Sequence, residues 1–159
     1  MNTIHQSNKR LHGVLFVALL GMLVFAACES HVGSSSQLKR EVDSFAVYYF
    51  NWQYHKAVRF VSPESEKWVR YVASQVHQVD IDLLRQKEQP ATCEILSIDY
   101  ADNDSSAVAH VAINNFLRMD TIGRAASFVA SADYDIPLVY DVENNRWKVL
   151  LQGALREKR

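Results

Sequence analysis

Metal and nucleotide signatures are missing from this 159-residue chain. Its six histidines (His5, His12, His31, His55, His77 and His110) never stand as H-x-H or H-E-x-x-H, so no zinc site is written in their spacing. Glycine is scarce, five in all, and neither a glycine-rich phosphate loop nor a G-x-S-x-G elbow occurs. That argues against loop-borne nucleotide binding and the serine-hydrolase arrangement. No cofactor and no metal is expected. Cysteine is nearly absent, with Cys28 and Cys93 alone, so the domain must hold itself together by its core rather than by disulfides. Positive charge is not in excess either. Of 17 basic residues Lys9 and Arg10 fall in the leader described next, leaving 15 against 18 acidic ones, a net of −3. Nucleic acid is not an expected partner.

What is present begins with an address. Lys9, Arg10 and His12 precede an uninterrupted apolar run from Gly13 to Ala27, and no acidic residue occurs before Glu29. The run is too short for a comfortable transmembrane helix and reads as a secretory signal. It ends in Leu23-Val24-Phe25-Ala26-Ala27-Cys28, which resembles the lipobox of bacterial lipoproteins, although Phe25 stands where most such boxes have Leu. The resemblance implies cleavage before Cys28 and a diacylglycerol on its thiol, hence a membrane partner through lipid. Residues 1–27 are thus read as signal and 28–37 as a flexible tether. The expected location is the cell envelope, on the periplasmic side of the outer membrane. Cys93, in an apolar strand, is expected to be a buried, inert thiol, or the partner of Cys28 if lipidation fails.

From residue 38 to 159 a single domain is expected. Leu38, Val42, Phe45, Tyr49 and Trp52 recur at spacings of 4, 3, 4 and 3, one stripe on one helix. Tyr54, Ala57, Val58 and Val61 mark a short second helix. Ser62-Pro63-Glu64 opens a third, whose buried face is Trp68, Val72, Val76, Val79 and Leu83. Beyond Pro90 the period becomes two. Strands are expected over 92–100, with Leu96, Ile98 and Tyr100 on one face, then 106–119, then from Ala126 to Tyr140, and finally around Trp147, Val149 and Leu151. Pro137 inside the third strand implies a bulge, a bend or an edge position. The fold class is α+β: N-terminal helices on a curved, mainly antiparallel four-stranded sheet.

This order, with Tyr49-Phe50-Asn51-Trp52, Tyr54-His55-Lys56-Ala57-Val58 and Asn145-Arg146-Trp147-Lys148-Val149, resembles the nuclear transport factor two-like (cystatin-like) superfamily over about residues 38–152. Small lipoproteins of this kind are common in Gram-negative bacteria, particularly the Bacteroidetes. Gln53-Tyr54 departs from the Gly-Asp that many members carry before the second helix. The resemblance implies a cone in which a bent sheet wraps a long helix and leaves a pocket. The superfamily includes isomerases, dehydratases, hydrolases, ligand binders and dimerisation modules, so the fold does not choose a function.

Candidate ligand-binding residues are Tyr49, Trp52, His110, Asn114, Phe128 and Tyr134, with small alanines at 126, 130 and 132 leaving room beside them. Strand alternation puts His110 and Asn114 on one face with Phe116, and Phe128 on the face of Tyr134. For His110 a satisfied structural role outweighs a catalytic one, and core packing outweighs ligand contact for each aromatic taken singly. No catalytic residue is assigned. The expected function is a non-catalytic envelope module binding an apolar small molecule or an envelope protein. The alternative is a small isomerase- or dehydratase-like enzyme with its site in the cone. A carboxylate beside His110 in a solvent-accessible pocket would favour the enzyme. A homodimer through Val111, Ile113 and Leu117 is also expected, unless these face the core. Asp120-Thr121-Ile122 matches a short O-glycosylation pattern that arises often by chance.

Overall fold

A computed structural model describes residues 33–119 and 125–158. The leader, Cys28 and Asp120-Thr121-Ile122 lie outside the described residues. Helix α1 runs Ser35–Phe50 and buries Leu38, Val42, Phe45, Ala46, Tyr49 and Phe50. It takes in three residues expected in the tether. It also stops before Trp52, which adopts a left-handed φ of 57° and turns the chain. Asn51 fixes that exit. Its amide donates to the carbonyls of Val47 (2.8 Å) and Ala91 (2.9 Å), and its oxygen accepts the Ala91 N–H at 2.8 Å.

The next pieces are short. Helix α2, Tyr54–Ala57, passes into a 3₁₀ turn, Val58–Phe60, and Val61 then bridges to Val149 in parallel. The single helix expected after Ser62 is instead a 3₁₀ turn, Pro63–Ser65, then α3, Glu66–Ser74, and α4, Gln78–Gln86. The break has a local cause. Asp80 Oδ2 accepts the His77 N–H at 2.9 Å, so α4 starts with its own cap. Val79, expected to be buried, is 52% exposed, and the buried contributions are Val69 and the Asp80 carboxylate.

Four strands follow as an antiparallel meander in the order β1-β2-β3-β4: Thr92–Tyr100, Ser106–Arg118, Ser127–Asp141 and Arg146–Val149. Two irregularities decide which side chains reach the helices. The β1–β2 register shifts between Ile95 and Ser97, leaving Leu96 as the extra, exposed residue. Cys93, Ile95, Ile98 and Tyr100 therefore pack on the core, rather than Leu96 with Ile98 and Tyr100. The second lies at Asn115, whose φ is 56° and whose amide donates to the carbonyls of Gln89 and Pro90. Before it the buried residues of β2 are Ala107, Ala109, Val111 and Ile113; after it they are Phe116 and Leu117. Pro137 is neither on an edge strand nor at a register bulge: β3 lies between β2 and β4, and Pro137 sits where the β3–β4 pairing ends. It pairs with Val108 in unbroken register, and its carbonyl accepts the Leu150 N–H just beyond the end of β4.

The core lies between α1 and the inner face of this sheet. Trp147, Phe45, Phe116, Leu38, Ile113 and Ile136 are its largest fully buried side chains. Each contributes about 1.5–3 kcal/mol of transfer free energy relative to exposure. Val111 and Ile113 belong to this core, and Leu117, outside it, is only 6% exposed, so none of the three offers an open face for the expected two-fold contact.

Candidate functional site

The six residues proposed for a ligand pocket separate into three places. Tyr49 and Tyr134 are inside, with 6% and 3% exposure, joined through Phe50. The Phe50 ring lies 5.2 Å from Tyr49, 4.8 Å from Tyr134 and 5.2 Å from Phe116, centroid to centroid. Tyr54 stands edge-on to Tyr49 at 5.6 Å. These rings fill one another's space, so core packing accounts for both tyrosines. Burial pushes the Tyr49 hydroxyl up to about 12, against a hydrogen bond with the Leu155 backbone. Burial raises Tyr54 as well, and Tyr49 and Asp80 add to the rise. Trp52 is half-buried against the same cluster.

Phe128 is elsewhere. It is 60% exposed, not on the face of Tyr134. Val129, opposite Phe116, packs on the core in its place, because the kink at Asn115 changes which residues face inward.

His110 and Asn114 are on the outer face of the sheet, away from the rings. Their neighbour Phe116 is inside, on the far side of the Asn115 kink. His110 Nδ1 lies 2.6 Å from Asp135 Oδ1 and its Nε2 lies 2.9 Å from Asp99 Oδ2. The three residues tie β1, β2 and β3 together. Lys158, from the C-terminal segment, adds its ammonium 3.2 Å from the same Asp135 oxygen. Hydrogen bonds to Asp135 and then Asp99 raise the His110 pKa. Partial burial alone would raise Asp135, but hydrogen bonds from His110 and Lys158 hold it below its ordinary range. A carboxylate is thus within reach of His110, but on the outer face of the sheet rather than in the pocket that the enzymatic alternative asks for. Both ring nitrogens are engaged by these carboxylates, and the Lys158 ammonium also approaches Nδ1 at 3.3 Å. The arrangement is a charged cross-strand link.

Asp80 is the interior acid the sequence reading missed. It is 1% exposed, and Oδ1 accepts the Ala126 N–H at 2.8 Å while Oδ2 caps α4. The carboxylate therefore pins the chain after the Asp120–Arg124 segment onto α4. Its signal was the Asp three residues after His77, a capping spacing. Cys93 is unpaired, and burial, followed by the charge of Asp43, pushes its thiol up to about 12. That is the expected inert state.

The structure also assembles a cleft outside the core. Tyr48, His55, Lys56, Arg59 and Phe60 line a recess of about 250 Å³ between the end of α1 and the turn after α2. The Tyr48 and Phe60 rings lie 5.8 Å apart and tilted by 32°. Lys56 Nζ donates to Gln53 Oε1 at 2.8 Å and stands 5.4 Å from the Tyr48 ring centre. A sequence signal existed. From Ser44 to Pro63 the chain has three cationic or titratable nitrogen side chains and no acid. Among the described residues no group of histidine, cysteine and acids is placed to hold a metal, and no helix is long and apolar enough to cross a membrane.

No protein-family model matches the chain, and no curated protein matches it. Solved structures similar to it include the intermembrane space region of chloroplast protein ARC6, at 9% identity and a TM-score of 0.44, over 79% of this chain and 98% of that one. TraE protein, in complex with 2-(2-furyl)isonicotinic acid, is similar at 10% identity and a TM-score of 0.46, over 79% of this chain and 96% of that one.

Proposed function

We propose that this chain is a lipid-anchored envelope protein whose nuclear transport factor two-like domain binds a small ligand without transforming it. The anchor reading rests on the basic leader, the apolar run and Ala26-Ala27-Cys28. The binding reading rests on one observation: the interior aromatics are packed against one another, whereas the Tyr48–Phe60 cleft stays open beside unneutralised cations. Catalysis of the isomerase kind needs an acid with a free oxygen beside a Tyr or His within the cone. Asp80 has both oxygens engaged by backbone N–H groups, and His110 lies on the opposite face of the sheet. Neither supplies that base.

Native mass spectrometry of the protein purified from its own envelope tests both parts. The expected spectrum has a diacylglycerol-modified Cys28 at the mature N-terminus and a second, non-covalent mass on the folded domain. An unmodified Cys28 removes the anchor. A bare domain that turns over a supplied enolisable ketone removes the binding module in favour of the enzyme.

A further inference from the structure

We propose that the cleft between α1 and the turn after α2 binds a small organic anion. A planar apolar body lies along Tyr48 and Phe60, and its carboxylate or phosphate group is held by Lys56 and Arg59. This rests on the binding-module reading and narrows it to one ligand class and one place.

Three observations carry it. The first is size. About 250 Å³ falls just below the ~300–1,000 Å³ of sites for drug-sized ligands, so the occupant is a small molecule rather than a chain. The second is charge. Arg70, Arg85, Arg118, Arg146 and Lys158 each face a carboxylate: Glu66, Asp82, Glu157, Glu41 and Asp135. Lys56 and Arg59, like Lys39, Arg40, Lys67 and Arg156, face none among the described residues, and of these only Lys56 and Arg59 line the cleft. Lys56 is instead held by the neutral oxygen of Gln53 and by the Tyr48 ring. These contacts fix the ammonium without cancelling its charge.

The third is preorganisation. The Gln53 N–H donates to the Tyr48 carbonyl at 2.8 Å, and the Lys56 N–H donates to the Gln53 carbonyl at 2.8 Å. Lys148 Nζ, on β4, donates to the Arg59 carbonyl at 2.7 Å. The cleft walls are therefore tied to α1 on one side and to the sheet on the other. Little ordering is left to oppose binding. The two tilted rings supply an apolar wall, and a guanidinium and an ammonium lining the same cleft suit a carboxylate or phosphate oxygen.

The phosphate of an anionic lipid offers the same head chemistry as a free organic phosphate, and the test separates them. The full chain in a maltoside detergent is titrated calorimetrically with phenyl phosphate, benzoate and inorganic phosphate. Sedimentation with phosphatidylglycerol vesicles runs alongside. Phenyl phosphate and benzoate are expected to bind saturably, phenyl phosphate at least tenfold more tightly than inorganic phosphate. The doubly substituted Lys56→Gln, Arg59→Gln protein is expected to lose at least tenfold, while Lys67→Gln binds as the wild type does. Both cleft residues are exposed, so the double variant keeps the wild-type circular dichroism spectrum and melting point. Equal affinity for inorganic phosphate overturns the proposal, as do indifference to the double substitution and binding to vesicles alone. A retained native ligand that survives the double substitution overturns the cleft but leaves the binding-module reading standing.

Discussion

Strand β2 passes one stretch of chain through two environments. Its odd-numbered residues Ala109, Val111 and Ile113 are shut against α1 at 0% exposure, while His110 between them faces outward among Asp99, Asp135 and Lys158. The inner side is held by shape, with interlocked rings and aliphatics whose energy depends on filled volume. The outer side is held by charge, at a surface where solvent screens each pair. The comparison teaches where this domain stores stability and where it keeps freedom to interact. Aromatics between α1 and the sheet are spent on packing. The polar groups that face solvent, on the outer sheet and in the helical cleft, are those a ligand or partner meets.

Truncation inside the core is the harshest test of this division. Trp147→Ala removes a side chain at 0% exposure and is expected to cost about 3–5 kcal/mol in urea unfolding. A loss below about 1 kcal/mol would mean the interior is loosely packed, and the division fails. Next in size is Asp80→Ala. It leaves the Ala126 and His77 N–H groups without their acceptor and is expected to cost about 2–4 kcal/mol in the same measurement. Asp80→Asn keeps the shape and one acceptor oxygen, so it should recover part of that loss.

The outer face sharpens the comparison through pH. His110 has a raised pKa in the folded protein, so its protonated form is favoured there. Its stabilising contribution is full below the ordinary histidine value of 6.5 and is lost as pH rises through the folded one. Three charged groups face it: Asp99 from β1, Asp135 from β3, and Lys158 from the C-terminal segment, which opposes it. Stability measured from pH 6 to 9 is expected to fall by less than about 1 kcal/mol in the wild type. It should be flat over that step in His110→Gln, and an equal fall in that variant would assign the titration to another group. Smallest of all is Phe128→Ser. At 60% exposure it is expected to change stability by no more than about 0.5 kcal/mol, and a larger loss would show that Phe128 is covered in solution.

Element order and type were legible because both are local properties. The 4-3-4 spacing of Leu38, Val42, Phe45 and Tyr49 is the geometry of one helix face, and all four are buried. The first strand runs Thr92–Tyr100 as alternation after Pro90 predicts, whereas Pro137 sits in the interior strand β3, just beyond its last pair with β4, rather than on an edge. The break at His77 was legible in principle from the Asp80 capping spacing, but the apolar run through Val76 and Val79 outweighed it. The candidate site was far less legible. Of the candidate residues Tyr49 and Tyr134 lie on the inner side, whereas His110 and Asn114 lie on the outer face and Phe128 is exposed.

By itself the sequence determined an α+β meander, the apolar stripe of α1, the near absence of metal-ligand spacing and the lipobox-like leader. Each is carried by residues within a turn or a strand of one another. Tertiary structure alone decided which faces meet. One extra residue at Leu96 and a left-handed φ at Asn115 exchange inside for outside, because side chains alternate every residue and a single slip reverses the set. It also decided that the space between α1 and the sheet fills with its own rings, and that Tyr48, Lys56, Arg59 and Phe60 line one cleft. Convergence of that kind depends on the angle between α1 and the turn after α2, which the Asn51 and Gln53 hydrogen bonds set and no spacing along the chain records.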